Sequence, residues 1–168
     1  MTKRDYIVSS VHLADPGTEE LSEFEFGLIL AHNAFERWVV RCMAAAGYPD
    51  LSKIDILVLH SVHHRGRPKR LADLCFVLNI EDSHVVNYAL RKLAQLDLVA
   101  RTRPSKEVFY ATTPAGDEAC RRYRAVRQSC LLAVPTPPAT HAGLGETAGL
   151  LRALSGLYDQ AARAATSL

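Results

Sequence analysis

The sequence predicts a mostly α-helical chain carrying one small β-hairpin, and three observations support that prediction. Apolar residues recur at steps of three and four over most of the 168 residues, the period of amphipathic helices. Beyond Asp97 the period falls to two, over two short runs separated by a polar turn. Proline, glycine and small polar residues fall between the periodic runs, where turn chemistry is needed.

In order, residues 1–17 read as an N-terminal arm closed by the turn Asp15-Pro16-Gly17. Thr18 offers a side-chain cap, and Glu19 and Glu20 suit a helix N-terminus. A long first helix follows, with Leu21, Phe24, Leu28, Phe35, Trp38, Cys42 and Ala46 as its apolar stripe and Ala31 and Val39 filling in. Gly47-Tyr48-Pro49 ends it. A second helix spans residues 51–63, capped by Asp50 or Ser52, and Arg65-Gly66-Arg67-Pro68 breaks it. A short third helix over about 70–78 turns Leu71, Leu74, Cys75 and Leu78 inward. After the tight turn 79–82, a fourth helix runs to about Leu96 with Val86, Leu90, Leu93 and Leu96 as its stripe.

Residues 98–102 and 108–112 read as strands joined by Arg103-Pro104-Ser105-Lys106. Pro114 suits the first turn of a fifth helix, placed at about 115–134. Residues 135–143 read as a linker, and a sixth helix occupies about 144–165. Helix, turn, helix and hairpin in that order make a winged helix-turn-helix flanked by long helices. The expected organisation is an arm (1–17) and a single winged-helix domain (18–168). About 50–113 forms its DNA-binding part, and about 18–47 and 114–166 its dimerisation helices.

A net charge of +2 does not by itself announce a nucleic-acid binder. Its distribution says more. Between His60 and Tyr110 nine basic residues stand against five acidic ones, whereas the first thirty residues are mainly acidic. If Val86, Leu90 and Leu93 face the core, the opposite face of the fourth helix carries Ser83, His84, Asn87, Tyr88 and Arg91. These are hydrogen-bonding side chains on the helix that would enter the major groove, Asn87 suited to adenine and Arg91 to guanine or phosphate. Arg103, Ser105 and Lys106 at the hairpin tip would reach backbone or minor groove.

The chain resembles the MarR family through Leu71-Ala72-Asp73-Leu74, Val86, Leu90-Arg91-Lys92-Leu93, Leu98-Val99-Ala100-Arg101 and Thr113-Pro114-Ala115-Gly116. The resemblance covers roughly residues 21–165. It implies a homodimer joined through the first, fifth and sixth helices, a pseudo-palindromic DNA site, and a ligand crevice between the dimerisation and DNA-binding parts. Two positions depart from the family pattern. The wing is short and lacks the family's Asp-x-Arg pair, leaving Arg103 and Lys106, and Asp97 stands where a glycine is usual. Asp tolerates the left-handed conformation better than most residues.

The apolar stripes of the first and sixth helices exceed what one small winged core can cover, which predicts a C2 partner. A larger monomeric helical core is the alternative. A small aromatic effector is expected beside Phe35, Trp38 and Val39, although aromatics at helical spacing also serve as plain core. His60 and His64 share a helix face at a spacing that holds zinc, but no third ligand is evident. The expectation is therefore no metal and no cofactor. Cys42, Cys75, Cys120 and Cys130 lack C-x-x-C spacing and read as reduced thiols, mostly buried. No stretch is long and apolar enough to span a bilayer, and the N-terminus lacks signal-peptide features, so a cytoplasmic protein is expected. Phosphate-cradling glycine loops, G-x-S-x-G and H-E-x-x-H are absent, which argues against an enzyme. The expected function is a sequence-specific duplex-DNA-binding transcriptional regulator, read as an effector-responsive repressor. The alternatives are a winged-helix protein–protein adaptor and a thiol- or metal-sensing regulator.

Overall fold

The computed structural model describes residues 17–104, 106–133 and 138–168, so most of the N-terminal arm and Ser105 lie outside the described residues. The described elements are α1 (Glu19–Ala45), α2 (Lys53–His63), a 3-10 turn (His64–Gly66), α3 (Leu71–Leu78), α4 (Ser83–Gln95), β1 (Val99–Thr102), β2 (Phe109–Thr112), α5 (Pro114–Cys130) and α6 (Pro138–Ala165). Two compact units result, Met1–Gln128 and Ser129–Leu168.

In the first unit the core gathers around α2. Its own residues Ile56, Val58, Leu59 and Val62 are buried, with Asp55, on a helix that packs against α1, α3, α4 and β2. A helix covered on several sides reads as apolar nearly all round, which is why Ile56, Val58, Leu59 and Val62 are all buried. Val39, Cys42 and Met43 of α1, Ala46 just after it, Leu74 of α3, Val86, Leu90 and Leu93 of α4, Leu98, and Ala119 and Cys120 of α5 are among the other buried residues of the core.

Local chemistry sets the element ends. Gly47, at φ 104°, takes the left-handed turn after α1, and Tyr48 N–H donates to the Met43 carbonyl. Ser52 caps α2 through a capping box with Asp55. Asn79 adopts φ 51° to end α3. Asp97 adopts φ 55°, the left-handed conformation expected of it, and Leu98 N–H then reaches back to the Leu93 carbonyl. β1 and β2 pair antiparallel from Val99↔Thr112 to Thr102↔Phe109, and Lys69 bridges Tyr110 on the far side of β2.

Several expectations need correction. Thr18 precedes α1 without a side-chain cap bond; its carbonyl accepts from Ser22 N–H. Of the α1 stripe, Leu21, Leu28 and Phe35 are exposed, because the winged core reaches only the last turns of the helix. Leu96 is exposed too: it follows the last turn of α4, and Leu98 takes the core position. α5 ends at Cys130, short of the expected 134. α6 begins at Pro138, inside the expected linker, since proline's fixed φ is compatible with a first helical turn. In the second unit Leu144, Leu150, Leu151 and Leu157 of α6 are exposed. Among the described residues no helix is long and apolar enough to cross a membrane.

Candidate nucleic-acid interface

The fourth helix is amphipathic in the sense the sequence predicts. Val86, Ala89, Leu90 and Leu93 are buried at helical spacing, and this stripe fixes the rotation of the helix. Ser83, His84, Tyr88 and Arg91 are consequently exposed, and Asn87 is half-buried beside them. Tyr88 shows 71% of its surface, a high exposure for a large ring. Asp82 caps the helix by accepting from His84 N–H at 2.8 Å.

A second contact, not foreseen from the sequence, clamps α4 to α2. Lys92 Nζ donates to Asp55 Oδ2 at 2.8 Å and to the Asp50 carbonyl at 2.6 Å. Asp55 is only 2% exposed, and its carboxylate also accepts from Ser52 N–H and Ser52 Oγ. The capping box that starts α2 is thus also the anchor for the outward-facing helix. The only sequence hint was an acid three residues after Ser52, which is the signature of a cap and says nothing of a lysine 37 positions away.

The wing lies beside α4. A cleft of about 530 Å³ between them is lined by Asn87, Leu90, Arg91, Ala94, Gln95, Arg101 and Tyr110. Arg101, on β1, was counted in the basic stretch but not among the site residues. Its position as the third residue of β1, in a period-two strand, was the available signal. Arg103 and Lys106 are exposed in the hairpin turn. Among the described residues Arg91, Arg101, Arg103 and Lys106 have no carboxylate partner. Arg70 differs. Its guanidinium pairs with Asp73 at 3.0 Å and Glu107 at 3.3 Å, tying the start of α3 to the hairpin turn, and these partners hold it strongly protonated. Part of the apparent basic patch is therefore neutralised, while Arg91 and Arg101 stay unpaired in the α4–wing cleft.

Residues 51–116 match the winged helix DNA-binding domain family. Among solved structures, AbfR of Staphylococcus epidermidis is similar at TM-score 0.61 and 16% identity, covering 83% of this chain and 97% of that one. CouR from Rhodococcus jostii RHA1, bound to p-coumaroyl-CoA, gives TM-score 0.61 at 17% identity over 78% of this chain and 90% of that one. Apo wild-type MarR from E. coli gives 0.55 at 15% identity over 74% and 93%. The chain has the MarR fold. No curated protein matches it.

Within this MarR fold, the closing motif has a steric explanation. Thr113 Oγ1 donates to the Asp97 carbonyl and accepts from Gly116 N–H at 3.0 Å. A Cβ on Gly116 would collide with the backbone carbonyl of Leu98. Threonine and glycine at this spacing let the start of α5 lie directly on the turn that leads into the wing.

The remaining candidates separate. Val39 is core, Trp38 packs half-buried against it, and Phe35 is exposed. His64 follows the last residue of α2 with its N–H still bonded to the His60 carbonyl, and it is exposed whereas His60 is half-buried. Among the described residues no group of three or more His, Cys, Asp or Glu could hold a metal. His60 instead stacks edge-on against Tyr123, ring centroids 4.5 Å apart, with its buried Nε2 lacking a hydrogen-bond partner. Burial, and then the nearby His63 and Arg124, lowers its pKa to about 4. The cysteines are all free: Cys42 and Cys120 are buried, Cys75 is half-buried and Cys130 is exposed. Burial first, and then Asp117, raises the Cys120 thiol to about 12, which suits an inert core residue.

Proposed function

We propose that the chain is a MarR-family transcriptional regulator that binds duplex DNA as a homodimer on a pseudo-palindromic site. In this reading α4 enters the major groove, where Ser83, His84, Asn87, Tyr88 and Arg91 meet base edges and flanking phosphates. The wing, through Arg101, Arg103, Lys106 and the neighbouring Ser105, holds the backbone and the adjacent minor groove. The observation that carries the reading is the cleft between α4 and β1, flanked by the unpaired Arg91 and Arg101. The strand separating a major groove read by α4 from a minor groove met by the wing must pass through that space.

Dimerisation is supported by spacing. Leu21, Leu28 and Phe35 are exposed at seven-residue intervals on α1, and Leu150 and Leu157 repeat the interval on α6. Such seams bury themselves against a second helix. The effector reading rests on the half-buried Trp38 beside the exposed Phe35, and on the p-coumaroyl-CoA named with CouR.

Fluorescence anisotropy with arbitrary duplex DNA across a salt series tests the DNA reading. Affinity should fall steeply with salt as phosphates are neutralised. A second reading, a winged-helix adaptor, is favoured by Phe76 and Val77 of α3, exposed at 87% and 70%. Absence of any salt-dependent duplex binding would select it.

A further inference from the structure

A second concentration of charge lies where the DNA reading does not use it. The elbow between α2 and α3 runs His63, His64, Arg65, Gly66, Arg67, Pro68 and borders a cleft of about 390 Å³. Arg65 and Arg67 line it from the elbow, Thr112 from the end of β2, and His63 and Asp117 from α2 and α5. Lys69 pairs through its backbone with Tyr110, so the antiparallel run places Arg67 at the Thr112 end of β2, away from the hairpin turn. The elbow therefore lies at the base of the wing, not at its DNA-facing tip.

The elbow is also held in one shape. Lys69 Nζ donates to the carbonyls of His64 and Arg67, both at 2.7 Å, stapling the two ends of the turn. Arg65 and Gly66 both adopt left-handed backbone, φ 62° and 57°. Arg65 and Arg67 have no carboxylate partner among the described residues. Desolvation first, and then Arg67 and Arg65, lower the Lys69 pKa against the opposing pull of Asp73, so three cations crowd this turn. The carboxylate in the lining, Asp117, is already engaged: its Oδ1 accepts from Thr112 Oγ1 and lies 3.0 Å from His63 Nδ1.

We propose that this elbow cleft binds a small dianionic oxyanion, of the chemistry of a phosphate monoester, between the Arg65 and Arg67 guanidiniums. Two planar forks on a stapled turn match two oxygens of such a group and relieve the repulsion between them. The occupant would sit between the elbow and the Thr112 end of β2, with the Asp117 carboxylate held aside by Thr112 and His63, and so bias the setting of the wing. That regulatory consequence rests on the DNA reading, whereas the binding does not.

The test uses the full chain with inorganic phosphate as probe, at constant ionic strength against chloride and acetate. Phosphate should raise the melting temperature and bind measurably by calorimetry, while chloride and acetate should do neither. Arg65→Asn keeps a residue tolerant of the left-handed backbone and removes the charge; Arg67→Gln removes the other. Each should weaken phosphate binding about tenfold or more, a factor equivalent to about 1.4 kcal/mol, while leaving duplex DNA affinity without phosphate unchanged. Equal responses to phosphate and acetate, or an unchanged phosphate response in both variants, would overturn the proposal. So would a loss of DNA affinity and salt slope in R65N and R67Q without any phosphate response, which would make the elbow a DNA-backbone contact. A phosphate response alongside absent DNA binding would sink only the DNA reading.

Discussion

The two ends of α1 live in different environments. Its last turns place Val39, Cys42 and Met43 in the core, while the earlier turns leave Leu21, Leu28, Ile29, Leu30 and Phe35 exposed. The apolar periodicity is the same throughout, so the difference lies in what the rest of the first unit can cover. α2, α3, α4, the wing and the start of α5 form a closed core that uses the last turns of α1 and no more. The exposed stretch carries surplus apolar surface at seven-residue spacing, and in the proposed dimer it is the part reserved for a partner.

This contrast can be broken by substitution. Leu59→Ala, in the core, should cost about 2–5 kcal/mol in chemical denaturation, because the neighbours of α2 close around the missing atoms only partly. Leu28→Glu combined with Phe35→Glu should leave that core intact and convert dimer to monomer in sedimentation. Equal loss of folding from both changes would show that the exposed stretch is ordinary core of a larger monomeric bundle.

A comparable loss is expected where the core meets the outward-facing helix α4. Lys92→Met leaves the Asp55 carboxylate buried and short of its cation, at a cost on the order of 3 kcal/mol. Asp55 and Lys92 exchanged together for apolar residues should recover most of it. If Lys92→Met alone were neutral, the clamp would be a surface pair of little consequence.

A smaller effect should appear with pH. His60 is held neutral in the folded chain, with its pKa lowered to about 4 against an unfolded value of about 6.5. Between those values the unfolded chain binds more protons, so stability falls as pH drops from about 6.5 toward 4 and levels off below. The full loss is at most roughly 3 kcal/mol, and about half of it by pH 5. His60→Phe retains the aromatic contact with Tyr123 and should flatten that part of the stability profile relative to wild type. Parallel profiles for the two proteins would show that the imidazole is solvated after all.

Much of this was legible in the sequence, and the illegible parts share a cause. Helix periodicity identified the stripe of α4 and its outward residues, because a single helix face is a local property. The left-handed Asp97 was readable through the family resemblance, which puts a glycine at that position. Leu96 itself was misassigned because periodicity continues one step past the helix end. The Asp55–Lys92 clamp, the Gly116 contact with Leu98 and the Arg70–Glu107 tie were invisible, since each joins residues distant in sequence. For the same reason the neutralisation of Arg70 was not foreseen, and Arg101 was passed over although it lines the cleft. The burial of His60 against Tyr123 was equally invisible, because that contact too joins distant residues.

The central claim is that the outward face of α4 reads duplex DNA, and one measurement addresses it most directly. A duplex selected from random sequence by the wild-type protein would be titrated against wild type, Asn87→Ala and Arg91→Ala at several salt concentrations. Each substitution should weaken the selected duplex by about 1–3 kcal/mol, and much less so an unrelated duplex, while the melting temperature is preserved. If both variants bound the selected duplex as tightly as wild type, α4 would not be the reading helix.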